Sequence, residues 1–187
     1  MDALNALHNR VSIPRVTGPA PTAEQQEALF RAALRAPDHG RLRPWRFLTV
    51  EGTGLEQLGE LFSAAELAKT GDSSTESVLR AGQLPLRAPL LIIAISSPKP
   101  HAKVPEFEQD MSCAVAVGNM LVAAHAMGLG AVWRTGEPAV DPVIREGLGL
   151  AEQEKIVAFL YVGQPAREGR PVPELDSCDF VRRWPAD

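Results

Sequence analysis

The 187-residue chain is poor in cysteine, with only Cys113 and Cys178. Two thiols form at most one bridge, so no disulfide scaffold holds this protein and a buried core must do so. Aromatics are scarce too: three Trp, one Tyr and six Phe. Any stacking surface must come from those few. There is no basic excess. Lys and Arg number 19 against 23 Asp and Glu, for a net charge of −4, which excludes a nucleic-acid grip built on a basic face. The dinucleotide pattern GxGxxG, the Walker loop and the GxSxG elbow are all missing. The histidines, His8, His39, His101 and His125, lack the spacing of metal ligands, so no metal is expected. Met1-Asp2 opens without a basic segment or an apolar signal core, so the expectation is a cytoplasmic protein.

What remains is ordinary globular composition, 45% hydrophobic and 22% charged. The length suits one domain spanning 1–187, and the proline-bearing stretch from about 166 onward is expected to be an extended tail. Residues 2–9 suit a short helix, and Val11 to Pro21 an irregular stretch. Thr22 and Gln25 form a capping box ahead of a helix that must stop before Pro37. Trp45 to Val50, Leu90 to Ile95, Ala131 to Trp133 and Lys155 to Val162 read as strands. Residues 55–69 and 139–148 read as helices, with a shorter one ending near Ala81. Strands mixed with helices give an α/β or α+β fold.

The most informative segment is Glu106 to Met127. From Met111 onward it is apolar on nearly every side, broken by Ser112, Gly118, Asn119 and His125. Seventeen residues is short for a bilayer, and Asn119 and His125 would be costly in lipid. The pattern therefore predicts a helix buried by other elements or by a second subunit, with no membrane contact. Gly128 and Gly130 are expected to cap its end.

Three constellations can carry chemistry. Arg10-Val11-Ser12, with Arg15 close behind, offers a guanidinium fork and a hydroxyl suited to a phosphate; on spacing alone it reads more simply as solvated arginines beside a turn. Arg35-Ala36-Pro37-Asp38-His39 leads through a rigid loop into Arg43-Pro44-Trp45-Arg46-Phe47. Trp133-Arg134-Thr135-Gly136 is a strand end opening into a turn whose N–H groups can face a ligand. Cys113 lies inside the apolar helix and reads as inert packing.

In this order and spacing, from Met1 to about Pro165, the segments resemble the FMN-dependent nitroreductase family. The stretches are Arg10-x-Ser12, APDH (36–39), RPWRF (43–47), EFEQDMS (106–112), AVWRTG (131–136) and KIVAFLYVGQP (155–165). The resemblance implies an α+β fold with a central mixed sheet flanked by helices. It implies a homodimer in which the long central helix builds an intertwined interface holding one FMN per subunit. It implies FMN-binding roles for Arg10, Val11, Ser12, Arg35, His39, Trp133, Arg134 and Thr135, with the 133–135 turn reaching the flavin from the partner chain. It associates Ala123 to Gly128 with NAD(P). No side chain is implied as a nucleophile. NAD(P)H is implied as co-substrate, and the turnover as ping-pong hydride transfer to nitroaromatic or quinone-like acceptors. Two positions depart from the family pattern: Val11 stands where a second Arg is usual, and Arg43 where Gln is common. Dehalogenation or enoyl reduction on the same fold, or a non-catalytic flavin-binding regulator, are the alternatives. A substrate lid would fall within Leu55–Ala81.

Overall fold

A computed structural model describes residues 1–185. Its centre is strand β3 (Leu90–Ser96), in which every residue is buried. That burial follows from having a strand on each edge and helices on each face. Strand β2 (Trp45–Glu51) pairs with one edge of β3 and β5 (Lys155–Pro165) with the other. Strand β4 (Gly130–Arg134) pairs with the far edge of β5, and the two-residue β1 (Val16–Thr17) continues beside the end of β5.

All four pairings are antiparallel, which corrects the expectation of a mixed sheet. The helices explain it. Between β2 and β3 stand two helices, α3 (Thr53–Thr70) and α4 (Glu76–Gly82), so the chain returns to the end it left. One crossover helix would have produced parallel neighbours. Strands β3 and β4 are joined by a single helix, α5 (Glu106–Ala126), and do run the same way, but β5 lies between them.

One face of the sheet is covered by α2 (Ala23–Ala33) and α5. Leu29, Ala33, Cys113, Val117 and Met120 meet Leu90, Ile92 and Leu160 there. Burial pushes the Cys113 thiol up to about 12, aided by Asp110, so it stays protonated and inert. The other face is covered by α3, α4 and α6 (Pro142–Gly147), through Leu55, Leu58, Phe62, Ala65 and Ile144. Residues 55–81 are thus a core layer, not a lid.

Local signals account for most boundaries. The Thr22–Gln25 capping box forms. Gly128, at φ 73°, ends α5, but Gly130 opens β4 instead of capping the helix. A Cβ on Gly130 would lie 2.7 Å from Val16 Cγ1, so glycine lets the N-terminal segment approach β4. Helix α6 is shorter than 139–148, because Asp141 caps it and Pro142 takes its first position. Strand β5 runs three residues past Val162, where β4 and β1 give it partners. Asn119 donates to the Ala32 carbonyl at 3.1 Å. The short helix α1 (Ala3–Asn9) leads into the first constellation. Among the described residues, no helix is long and apolar enough to cross a membrane.

Candidate functional site

The N-terminal motif and the β4 turn share one edge of the sheet. Arg10 caps the end of α1, its N–H bonding the Ala6 carbonyl at 3.2 Å. Three residues on, the Ile13 N–H donates to the Ala131 carbonyl of β4 at 2.9 Å. That bond lays residues 10–13 beside the strand that ends at Arg134. Ser12, Arg134 and Thr135 are exposed along this edge and Arg10 is half-buried. Arg10 Nη1 is itself buried without a hydrogen-bond partner. An unsatisfied buried donor costs about 1–3 kcal/mol, so this atom marks where an acceptor belongs.

Val11 faces the tail. A Cβ on Gly169 would sit 2.6 Å from Val11 Cγ2 and 2.7 Å from Ile13 Cδ1. The tail therefore crosses the motif here, a contact that spacing alone did not single out. The signal in the sequence was a bare glycine among charges.

Trp133 is half-buried, and its indole N–H donates to the Val157 carbonyl at 3.0 Å, so its ring is fixed. Beyond it the 133–136 turn walls a cleft of about 410 Å³ with Phe62, Phe159 and Tyr161. Thr135 and Gly136 open onto this cleft.

Arg35 and His39 lie elsewhere. The loop carrying His39 precedes β2, at the opposite edge of the sheet, three strand spacings or about 14 Å from β4. Asp38 organises that loop. Its carboxylate accepts the Leu42 N–H at 3.1 Å and the Arg43 N–H at 2.7 Å. Arg41 and Arg43 have φ of 55° and 50°, a left-handed backbone costly for residues with a Cβ. Lys99 Nζ donates to the Leu42 carbonyl at 2.6 Å and holds the same turn. His39 Nδ1 lies 2.9 Å from Glu108 Oε2, at the start of α5. Glu108 was not foreseen; its signal is an acid in the first turn of a helix.

Arg35 lines a shallow, mostly apolar cleft of about 540 Å³ with α1 and with Asn119, Val122 and Ala126 of α5. At 1.5 Å per residue, Val122 stands about 21 Å along α5 from Glu108. One chain therefore brings Arg10, Ser12 and Trp133–Thr135 to one edge and leaves His39 at the opposite one, while Arg35 lies beside α1 on the α5 face. The 133–135 turn joins the N-terminal motif of its own chain, whereas the resemblance had assigned it to the partner. In the 123–128 segment, Ala124 is fully buried and His125 Nε2 is buried without a partner, leaving Ala126 and Gly128 exposed.

Comparison with known proteins identifies the family and the fold. A family model described as the Nitroreductase family matches residues 7–164. YdjA of Escherichia coli (strain K12), a candidate NAD(P)H nitroreductase, is 43% identical over 165 residues, 88% of this chain and 89% of that protein. A candidate NAD(P)H nitroreductase of Haemophilus influenzae is 38% identical over 183 residues, 97% of this chain and 98% of that one. Among solved structures, a nitroreductase-like protein of Bacillus cereus superposes with a TM-score of 0.83 at 22% identity, covering 100% of this chain and 97% of that chain. A candidate nitroreductase of Desulfovibrio desulfuricans, solved in complex with FMN, gives 0.74 at 25% identity, covering 100% and 99%.

Proposed function

The chain belongs to the nitroreductase family, and from that premise we propose that it is an FMN-dependent oxidoreductase that uses NAD(P)H to reduce nitroaromatic or quinone-like acceptors. The observation that carries this reading is the buried, unpartnered Arg10 Nη1 beside β4. A phosphate oxygen is the acceptor such a guanidinium lacks, and a bidentate contact would satisfy it. Ser12 adds a hydroxyl. Trp133, Arg134 and Thr135 then hold the ring end from the turn. Val11 contributes its backbone, since its side chain meets the tail.

FMN supplies the hydride chemistry when bound; the protein supplies placement and charge. The fixed Trp133 indole keeps the turn in one position. Arg134 offsets negative charge that develops at the ring end. With no nucleophile required, NAD(P)H and the acceptor take turns at one cleft, a ping-pong order. His39 stands at the opposite edge of the sheet, too far to serve the β4 edge of its own chain, and Arg35 faces outward on the α5 side. They complete the site of a second copy, which makes the working unit a homodimer of single-domain chains with FMN between them.

The test is direct. The purified protein should be yellow, with flavin absorbance near one per subunit, and added FMN should raise its melting temperature. NADH or NADPH should bleach the flavin and a nitroaromatic or quinone should restore it. A colourless protein whose melting temperature ignores FMN would overturn the reading. An FMN that binds but never bleaches would favour a regulator.

A further inference from the structure

Three guanidinium groups border two adjoining clefts at the end of β4 without an acidic partner. Arg134 and Arg87 line that cleft, and Arg87 and Arg80 line an adjoining one of about 420 Å³. The two clefts share Phe62, Leu84, Arg87 and Pro138, so they form one continuous groove. Among the described residues, none of the three arginines lies within 4 Å of a carboxylate. The acids nearby are engaged or out of reach. Lys69 holds Glu137 at 2.9 Å and Asp141 at 2.7 Å, and Glu66 on the rim pairs with no arginine. Arg46, by contrast, is bonded to Glu154 at 2.7 Å.

The groove is also aromatic. Phe62, Phe159 and Tyr161 wall it from the α3 side of the sheet. Tyr161 is the sole tyrosine of the chain, and its hydroxyl makes no hydrogen bond to the described residues. Burial raises its pKa, while Arg87 and Arg134, which line the same cleft, pull it down.

We infer that this groove is an oxyanion subsite: the guanidiniums of Arg80 and Arg87 hold a carboxylate or phosphate carried by an aromatic substrate whose ring lies against the aromatic wall, with Arg134 left to the flavin. Guanidinium forks match the geometry of both anions, and a half-enclosed groove screens the attraction less than open water does. The inference rests on the reductase reading for its setting, since it names the class of substrate that reading leaves open. Two sources share this chemistry: a carboxylated acceptor and the 2′-phosphate of NADPH.

The experiment compares the FMN-loaded enzyme with its Arg87→Gln and Arg80→Gln variants. Its substrates are 4-nitrobenzoate against nitrobenzene, and NADPH against NADH. A parallel calorimetric titration of the apoprotein with 4-nitrobenzoate needs no turnover. The expected result is a KM about ten-fold lower for the charged member of one pair. Arg87→Gln should abolish that preference while kcat and the neutral substrate stay within two-fold. The pair that responds identifies the source of the anion. Equal KM values within both pairs would overturn the inference and leave the reductase reading intact. So would an Arg87→Gln variant that loses FMN and slows every substrate alike, because Arg87 would then be a flavin contact. If FMN never binds, the reductase reading fails alone. The apoprotein titration then decides, with binding lost in Arg87→Gln as support and no binding to wild type as refutation.

Discussion

Arg10 and Asp38 each decide the state of their surroundings through one side chain. Arg10 carries a buried donor with nothing to bond. Removing that donor relieves the unbound protein while removing a contact from the bound one. Arg10→Met is therefore expected to leave the melting temperature of the apoprotein unchanged or slightly higher, and to weaken FMN binding by about ten-fold or more, one charge-assisted hydrogen bond being worth about 1.5–3 kcal/mol. Differential scanning fluorimetry with and without FMN reads both effects. A purely structural arginine would instead lower the apoprotein's stability. Asp38 works through the chain. Its two oxygens fasten the Leu42 and Arg43 N–H groups of a turn that holds Arg41 and Arg43 left-handed. Strained backbone persists only when its surroundings impose it. Asp38→Ala is expected to cost about 1–2 kcal/mol and to release the loop that carries His39. Faster amide exchange across residues 38–43 would report that release; unchanged exchange would show that Lys99 alone holds the turn.

Among elements, the fastening of β2 to the approach of β5 is open to a pH test. Arg46 on β2 donates through Nε and Nη2 to Glu154, both at 2.7 Å, and the Ala151 N–H bonds the same carboxylate at 3.0 Å. The hydrogen bond from Arg46 holds the Glu154 carboxyl down at about 2, against an ordinary 4.5. A depressed carboxylate stabilises the fold in full above its unfolded value and loses that contribution as pH falls through its folded one. Glu154→Gln should therefore lower stability by about 2 kcal/mol at pH 7, or about 4–8 °C in melting temperature. The gap to wild type should close between about pH 4.5 and pH 2. A gap independent of pH would mean that packing, not charge, matters at this position. The elements themselves were largely legible. The apolar run at 90–95, the Thr22–Gln25 box and Gly128 mark their boundaries by local chemistry. Neither β1 nor the antiparallel order was legible. Val16 and Thr17 become a strand only because the end of β5 offers them an edge, and β5 inserts between β3 and β4, a choice made by long-range packing. The candidate site divided the same way. Arg10 and Ser12 stood out by residue type, but Glu108 and Gly169 acquire meaning only where the fold carries them.

For the whole molecule, the question is what covers the outer face of α5. Its inner face is sealed against the sheet, but Phe107, Met111 and Val115 remain 61%, 53% and 44% exposed. Their spacing of four residues puts all three on one stripe. The tail repeats the pattern, with Leu175, Phe180 and Trp184 exposed by 71%, 73% and 93%. Contiguous exposed apolar surface on a small domain marks a binding face. The distribution of candidate ligand residues points to the same partner, because Arg35 and His39 flank α5 while Arg10 and Ser12 stand at the β4 edge. A second copy seated on α5 would bury the stripe and give each site its missing half. The protein is therefore expected to run at about twice 20.1 kDa in sedimentation. Val115→Asp places a charge in that seam without touching the buried row of Cys113, Ala116 and Val117, so it should give a folded monomer with native circular dichroism. That monomer should bind FMN at least ten-fold more weakly, although Val115 belongs to neither half-site. The same substitution at Val140, 71% exposed and next to Ala139 of the core on the far side of the sheet, should change neither mass nor affinity. A Val115→Asp protein that stays dimeric, or a wild type that sediments as a monomer while binding FMN tightly, would place the whole site in one chain and overturn the shared arrangement.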